Sequence, residues 1–238
     1  MRTRIAATAL TLTLAGAAVV VAIPGRAHGA TTVPVVAGTG WKLNAPAITH
    51  IDTAPWTIAF HDTASRTKLT PYLKKTAAEL SSYLGVKFIV STKIVPVTRG
   101  KCVTGHVISY RYMSKPDPLN PNRSFTGSCG NSAHAADGAY VYINSDYWLK
   151  TRNFSEPVRM NVIWHETGHA IGLNHPLTCP TNSAGLRPLM CADTYKDLRD
   201  RRYSPYEATA FRHLVTNRLA LAAQPLIANR TYKPLESS

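Results

Sequence analysis

Acidic side chains are scarce in this 238-residue chain: 13 Asp and Glu stand against 27 Lys and Arg, a formal net charge of +14. That balance favours anionic neighbours such as wall polymers, lipid headgroups or acidic proteins, and it also serves plain solubility. Nucleic acid is not an expected partner, because no stretch interleaves basic residues with aromatics. Internal repeats and low-complexity segments are missing, which excludes solenoids and repeat arrays. After the first 29 residues no apolar run is long enough to cross a bilayer. Cysteine occurs only four times.

The start of the chain carries the one long apolar run. Arg2 and Arg4 precede Ile5 to Ile23, then Pro24, Gly25 and the small residues around Ala27-His28-Gly29. This reads as a secretory signal cut after Gly29; an uncleaved membrane anchor is the alternative. Removing 29 of 238 residues leaves 209, and removing three arginines takes +14 to +11. A chain of that size can bury one proper core. Export makes disulfides the expected state of Cys102, Cys129, Cys179 and Cys191. Of the three pairings, the local one, Cys102–Cys129 with Cys179–Cys191, is preferred.

Residues 30–54 are rich in Thr, Pro, Ala and Gly and read as an extended lead-in or a short propeptide. The next segment, 55–224, reads as the principal domain, and 225–238 as a polar tail. Within it, "WTIAFHD" from Trp56 predicts a strand. Thr70 and Pro71 predict a helix start; Leu73, Ala77, Leu80 and Leu84 predict its buried face, and Gly85 its end. "KFIVST", "HVISYRYM", a short piece at Phe125 to Cys129, and "AYVYI" predict further strands. Ser155 caps a second expected helix, with Met160, Ile163, Trp164, Thr167 and Ile171 on one face. Residues 173–203 show no regular period. Ser204-Pro205-Tyr206-Glu207 is a capping box opening a last helix, with Ala208, Phe211, Val215 and Leu219 expected inside. The fold class is α+β.

The stretch "HETGHAIGLNHP", His165 to Pro176, holds three of the nine histidines. His165 and His169 are four apart on the expected helix, so one ion can reach both rings. Glu166 lies about 100° further round, near such an ion but not aimed to bind it, where a carboxylate can take a proton from water. A helix continued past Gly172 would carry His175 away. A glycine in the left-handed backbone region can stop the helix and bring His175 back beneath the other two. Three imidazoles with a position left over are the donor set of a catalytic zinc site.

On these residues the chain resembles the metzincin zinc endopeptidases, whose H-E-x-x-H-x-x-G-x-x-H consensus "HETGHAIGLNH" meets at every fixed position. The resemblance implies a two-lobed fold over roughly 55–222. A twisted, mostly parallel sheet with two helices forms the N-terminal lobe, and an irregular C-terminal lobe ends in a helix. It implies one catalytic Zn2+ on His165, His169 and His175, Glu166 as general base and acid, and a methionine turn for which Met190 in "LRPLMCADTY" is the candidate. It implies an extended protein or peptide substrate pairing with an edge strand near Phe125 to Cys129. An S1′ wall is expected from Asp193 to Tyr203.

Pro176 is serralysin-like, but calcium-binding glycine repeats and the Ser-x-Met-x-Tyr pattern are missing. "YSPYEATAFRHL" is matrixin-like, but the cysteine switch is missing, so no subfamily follows. Tyr195, five residues after Met190, is not at the spacing of a tyrosine ligand. His134 with Asp137 faintly matches a structural metal site, and Asp117, Asp137 and Asp146 could serve calcium, though no loop pattern supports it. His50, His61, His106, His134 and His213 are otherwise scattered. Asn122, Asn153 and Asn229 begin glycosylation triplets. A secreted, extracellular, monomeric zinc endopeptidase is the expectation. The alternatives are an inactive zinc-containing binding protein at an anionic cell surface, and a surface protein anchored by its leader.

Overall fold

A computed structural model describes residues 33–149, 155–192 and 202–222. The expected leader, the tail, Asn153, Asn229, Tyr195 and most of the expected S1′ wall lie outside those residues.

The fold is α+β around a mostly parallel sheet. Apolar, β-branched and aromatic runs form β4 (Trp56–Phe60), β5 (Phe88–Ile94), β6 (Val107–Met113) and β8 (Ala135–Asn144). With β3 (His50–Ile51) they lie in the order β3-β8-β6-β4-β5, every neighbouring pair parallel. The strand β7 (Phe125–Gly130) pairs antiparallel with β8 alone, Thr126 opposite Val141 and Cys129 opposite Gly138. A parallel pair needs a long crossover, and α1 (Thr63–Leu84) supplies it between β4 and β5. Its Leu73, Ala77, Leu80 and Leu84 are buried as their spacing predicts, and Gly85 caps it in the left-handed region at φ 63°.

The start of α1 corrects the sequence reading. The helix begins at Thr63, not at Thr70, and Pro71 lies inside it. Asp62 is the cap: its Oδ1 accepts the Ser65 N–H at 2.7 Å. The turns before Pro71 are held by tertiary contact, since Leu69 is fully buried and Ser65 Oγ accepts the Tyr112 N–H at 2.9 Å. Burial thus outweighs the hydrogen bond that the proline removes.

A short helix, α2 (Asp146–Leu149), follows β8, and α3 (Glu156–Ala170) then packs on β7, β8 and α1. Its Met160, Ile163, Trp164 and Thr167 are buried, as is Ile171 at its end. Ser155 is its cap residue, but the hydroxyl bonds no backbone N–H of the first turn. The last helix, α4 (Pro205–Ala222), packs against α1 and β3. Its buried side is Glu207, Ala210, Phe211, Leu214 and Asn217, turned from the expected one; Leu219 is 55% exposed. Polarity misleads here because Glu207 and Asn217 are buried with their hydrogen bonds met.

Residues 33–51, read from sequence as a lead-in, pack within the same compact unit. The strands β1 (Ala37–Gly38) and β2 (Trp41–Leu43) form a small antiparallel sheet with β9 (Leu173–Asn174). Asn217 fastens this segment to α4, accepting the Val35 N–H at 3.0 Å and donating to Thr49 O at 2.8 Å. Both disulfides are the local pairs, Cys102–Cys129 and Cys179–Cys191. Such bridges belong to chains that fold in oxidising surroundings. No helix among the described residues is long and apolar enough to cross a membrane.

Candidate metal centre

Three imidazoles meet at the C-terminal end of α3. The Nε2 atoms of His165 and His169 are 3.1 Å apart, and each is 3.2 Å from Nε2 of His175. His165 and His169 lie one turn apart on the helix, as residues four apart must. His175 returns to them because the chain turns at Gly172, whose φ is 104°. A side chain there would be strained, and a Cβ would meet Ile48 Cγ2 at 2.5 Å.

Two of the rings have fixed tautomers. His165 Nδ1–H donates to Leu189 O at 2.8 Å, and His169 Nδ1–H donates to Leu173 O at 2.9 Å. The corresponding Nε2 atoms therefore turn lone pairs, not protons, toward the common point. Burial holds both rings on the neutral side, lowering His165 well below its ordinary value and pushing His169 down to about 4. Lone pairs facing one another at this distance repel unless a cation lies between them. A tetrahedral ion binding nitrogen at about 2.0–2.1 Å separates its ligands by about 3.3–3.4 Å, close to what is found. The donor set and its geometry thus fit a metal ion. Among the described residues no other group of three or more His, Cys, Asp or Glu converges in this way.

Glu166 is buried beside the trio, 7% exposed. Burial raises its carboxyl to about 7, and the hydroxyl of Thr126, donating to Oε2 at 2.7 Å, draws it partly back. Thr126 is a residue that sequence reasoning missed. It sits in a strand that was legible, but its reach to Glu166 is set by the packing of β7 on α3. Both residues open on a cleft of about 370 Å³ that also exposes all three histidines, Ser124, Phe125 and Asn174.

Met190 is buried under α3. A Cβ on Gly168, between the two helical histidines, would meet Met190 Sδ at 2.5 Å. The turn carrying it is fixed on each side. Leu189 O accepts from His165, Met190 N–H donates to Glu207 Oε1 at 3.0 Å, and Cys191 is bridged to Cys179. Glu207 Oε2 also accepts the Ser204 N–H at 2.8 Å, so one carboxylate ties the cap of α4 to the methionine turn. Of the expected S1′ wall, Tyr203 is described and is core instead: it is 4% exposed and donates to Trp164 O at 2.8 Å.

Four other histidines among the described residues have separate tasks. His106 Nε2 lies 2.6 Å from Asp52 Oδ2, His61 Nδ1 accepts the Val97 N–H, and His213 stacks on Trp41 at 4.7 Å. His50 Nδ1 is 3.1 Å from Thr49 Oγ1. Asp117, Asp137 and Asp146 are likewise dispersed, to Arg99, the Gly105 N–H and Ser114.

The chain matches no known protein family, and a search of curated proteins finds no match either. The chemistry of the centre therefore rests on its own residues.

Proposed function

We propose that this chain is a secreted zinc endopeptidase of the metzincin type, two-lobed about the cleft, with His165, His169 and His175 holding the ion. The observation that carries the reading is the convergence of three Nε2 atoms, 3.1–3.2 Å apart and two of them left unprotonated by the bonds their Nδ1–H groups make, beside a buried carboxyl in an open cleft. Imidazole donors suit several divalent ions, and zinc with three such ligands keeps a position for substrate. Zinc bound there supplies Lewis acidity, polarising a carbonyl and easing the ionisation of water.

The chain's own residues do the rest. Glu166 takes the proton of the attacking water and returns it to the leaving amine nitrogen. Its carboxyl is buried and within reach of the histidine cluster, where one group can both take and give a proton. The edge of β7 away from β8 pairs with no strand among the described residues, so an extended peptide can add there by backbone hydrogen bonds. Leu189 O and Leu173 O hold the imidazoles in register for the ion.

The test is a protein-substrate digest by wild type and Glu166→Ala, with zinc measured on both. The expected result is about one equivalent of zinc in each and a loss of roughly 10²–10⁴-fold in kcat for the variant. Equal rates would remove the base, and wild type without bound metal would remove the site. Metal without cleavage would instead favour the binding-protein reading, which the net charge of +14 motivates and a retained Glu166 opposes.

A further inference from the structure

Glu166 has one carboxylate oxygen held and one free. Oε2 accepts from Thr126 Oγ1 at 2.7 Å, while Oε1 has no protein partner among the described residues. The same hydroxyl lies 3.1 Å from Glu166 O. A hydroxyl has one proton, so it serves one of these acceptors at a time; both belong to Glu166, and either choice ties β7 to that residue. Thr126 points toward α3 because side chains alternate along a strand. Its neighbours Phe125 and Gly127 lie on the opposite face, where Phe125 stacks on Tyr142 at 4.8 Å and Gly127 underlies the Tyr140 ring.

We propose that Thr126 is a positioning residue: its hydroxyl fixes the Glu166 carboxyl so that Oε1 faces the reacting water. The inference rests on the hydrolytic reading above. A glutamate side chain has three rotatable bonds, and a carboxyl held at neither oxygen would spread over several rotamers. Holding Oε2 selects one. The strand that receives the substrate backbone in the proposed reaction is also the strand that carries the hydroxyl, so substrate pairing along β7 and the aim of the base are mechanically linked. The Thr126 side chain points off the sheet face toward α3 rather than along the edge where a peptide backbone would add, so its loss is expected to show in kcat more than in KM.

Thr126→Val keeps the β-branched shape and removes the donor, and Thr126→Ser restores the donor. The measurements are kcat and KM on a peptide substrate, bound zinc, melting temperature, and the 13C resonance of the Glu166 side-chain carboxyl in metal-free protein, assigned by its loss in Glu166→Gln. Thr126→Val is expected to lower kcat roughly 10–100-fold, the usual effect of losing a group that orients another. KM, zinc content and melting temperature stay within about two-fold or a few degrees of wild type. The carboxyl resonance shifts in Thr126→Val and returns in Thr126→Ser together with kcat. Should the valine chain not fold, Thr126→Ala carries the same comparison. An unchanged kcat or an unmoved resonance in the donor-less variant overturns the inference, as does a serine variant as slow as the valine one. A wild type with no metal-dependent cleavage overturns the hydrolytic reading and this role with it, whereas an active wild type indifferent to Thr126 overturns this role alone.

Discussion

Helix α3 and the segment that follows it, 171–192, deliver the same kind of ligand by different physics. In α3 the spacing of His165 and His169 is set by the helix itself, and burial of Met160, Ile163 and Trp164 holds the helix in place. The following segment has no such frame. Its one regular piece is the two-residue strand β9, and His175 itself is exposed. Its position depends on ties to distant parts of the chain: Asn44 N–H to Gly172 O at 2.8 Å, Leu43 opposite Leu173, Cys191 to Cys179, and Glu207 to the Met190 N–H. The histidine cluster proposed to hold the ion is therefore a joint between a locally specified half and a half specified by long-range contacts. Damage to the second half should displace one ligand while α3 keeps the other two.

The largest expected effect comes from Gly172→Ala, which strikes the joint. An alanine at φ 104° is strained and its Cβ overlaps Ile48. Together these should cost roughly 2–5 kcal/mol in urea unfolding. Metal affinity should fall roughly ten-fold or more, as His175 moves while His165 and His169 remain. A stable variant with unchanged affinity would show that the turn does not set the third ligand.

Glu207→Ala is next, at about 3 kcal/mol, because it strands the buried N–H of Met190 and frees the α4 cap. Glu207→Gln keeps an acceptor and should lose less. Burial raises the Glu207 carboxyl above its ordinary value, so the native state holds that proton more readily than the unfolded chain does. Its stabilisation is complete below the ordinary glutamate pKa and is lost as pH rises through the raised value. Wild type should therefore lose its advantage over Glu207→Gln as pH rises through that window, read as converging urea midpoints. Midpoints that diverge instead would mean the carboxylate is favoured in place by its donors, the Met190 N–H and the N–H and hydroxyl of Ser204.

The same division explains what the sequence made legible. The meeting of His165 with His169, the place of Glu166 beside them and the turn at Gly172 were readable because helical period and left-handed glycine are local rules acting within eleven residues. The parallel strands were readable as apolar runs, and the two disulfides as near pairs. What was not readable depends on contacts between remote residues. Thr126 is 40 positions from Glu166, and Asn217 reaches back 182 positions to Val35. The segment before β4 carries no periodic signal, yet it supplies β2 and Asn44, which pin the turn at Gly172. The start of α1 was misplaced because Pro71 is a strong local signal, whereas the burial of Leu69 is visible only after folding.

The two disulfides provide a sharper, smaller contrast. Cys179 and Cys191 are 12 apart and close a loop that holds Met190 and begins four residues after His175, whereas Cys102 and Cys129 are 27 apart and join the loop before β6 to β7. Either Cys-to-Ser pair should cost roughly 2–3 kcal/mol of global stability. The Cys179/Cys191 pair alone should also speed metal release to a chelator while the protein is still folded. Equal release rates from the two variants would mean that the segment is held without its bridge.

The smallest expected effect tests α3 itself, and its sign is opposite. If burial holds this helix, its cap side chain should matter little. Ser155 Oγ is buried, finds no hydrogen-bond partner among the described residues, and bonds no N–H of the first turn. An Ncap serine that does bond contributes about 1 kcal/mol, and a buried hydroxyl without a partner opposes folding. Ser155→Ala should therefore leave stability unchanged or raise it by up to about 1 kcal/mol, with zinc content unaltered. Asp62→Ala on α1, where the cap bond is made at 2.7 Å, should lose about 1 kcal/mol in the same assay. If Ser155→Ala lost as much as Asp62→Ala, the helix carrying two of the three ligands would depend on its end as much as on its buried face, and the contrast between the two halves of the metal centre would narrow.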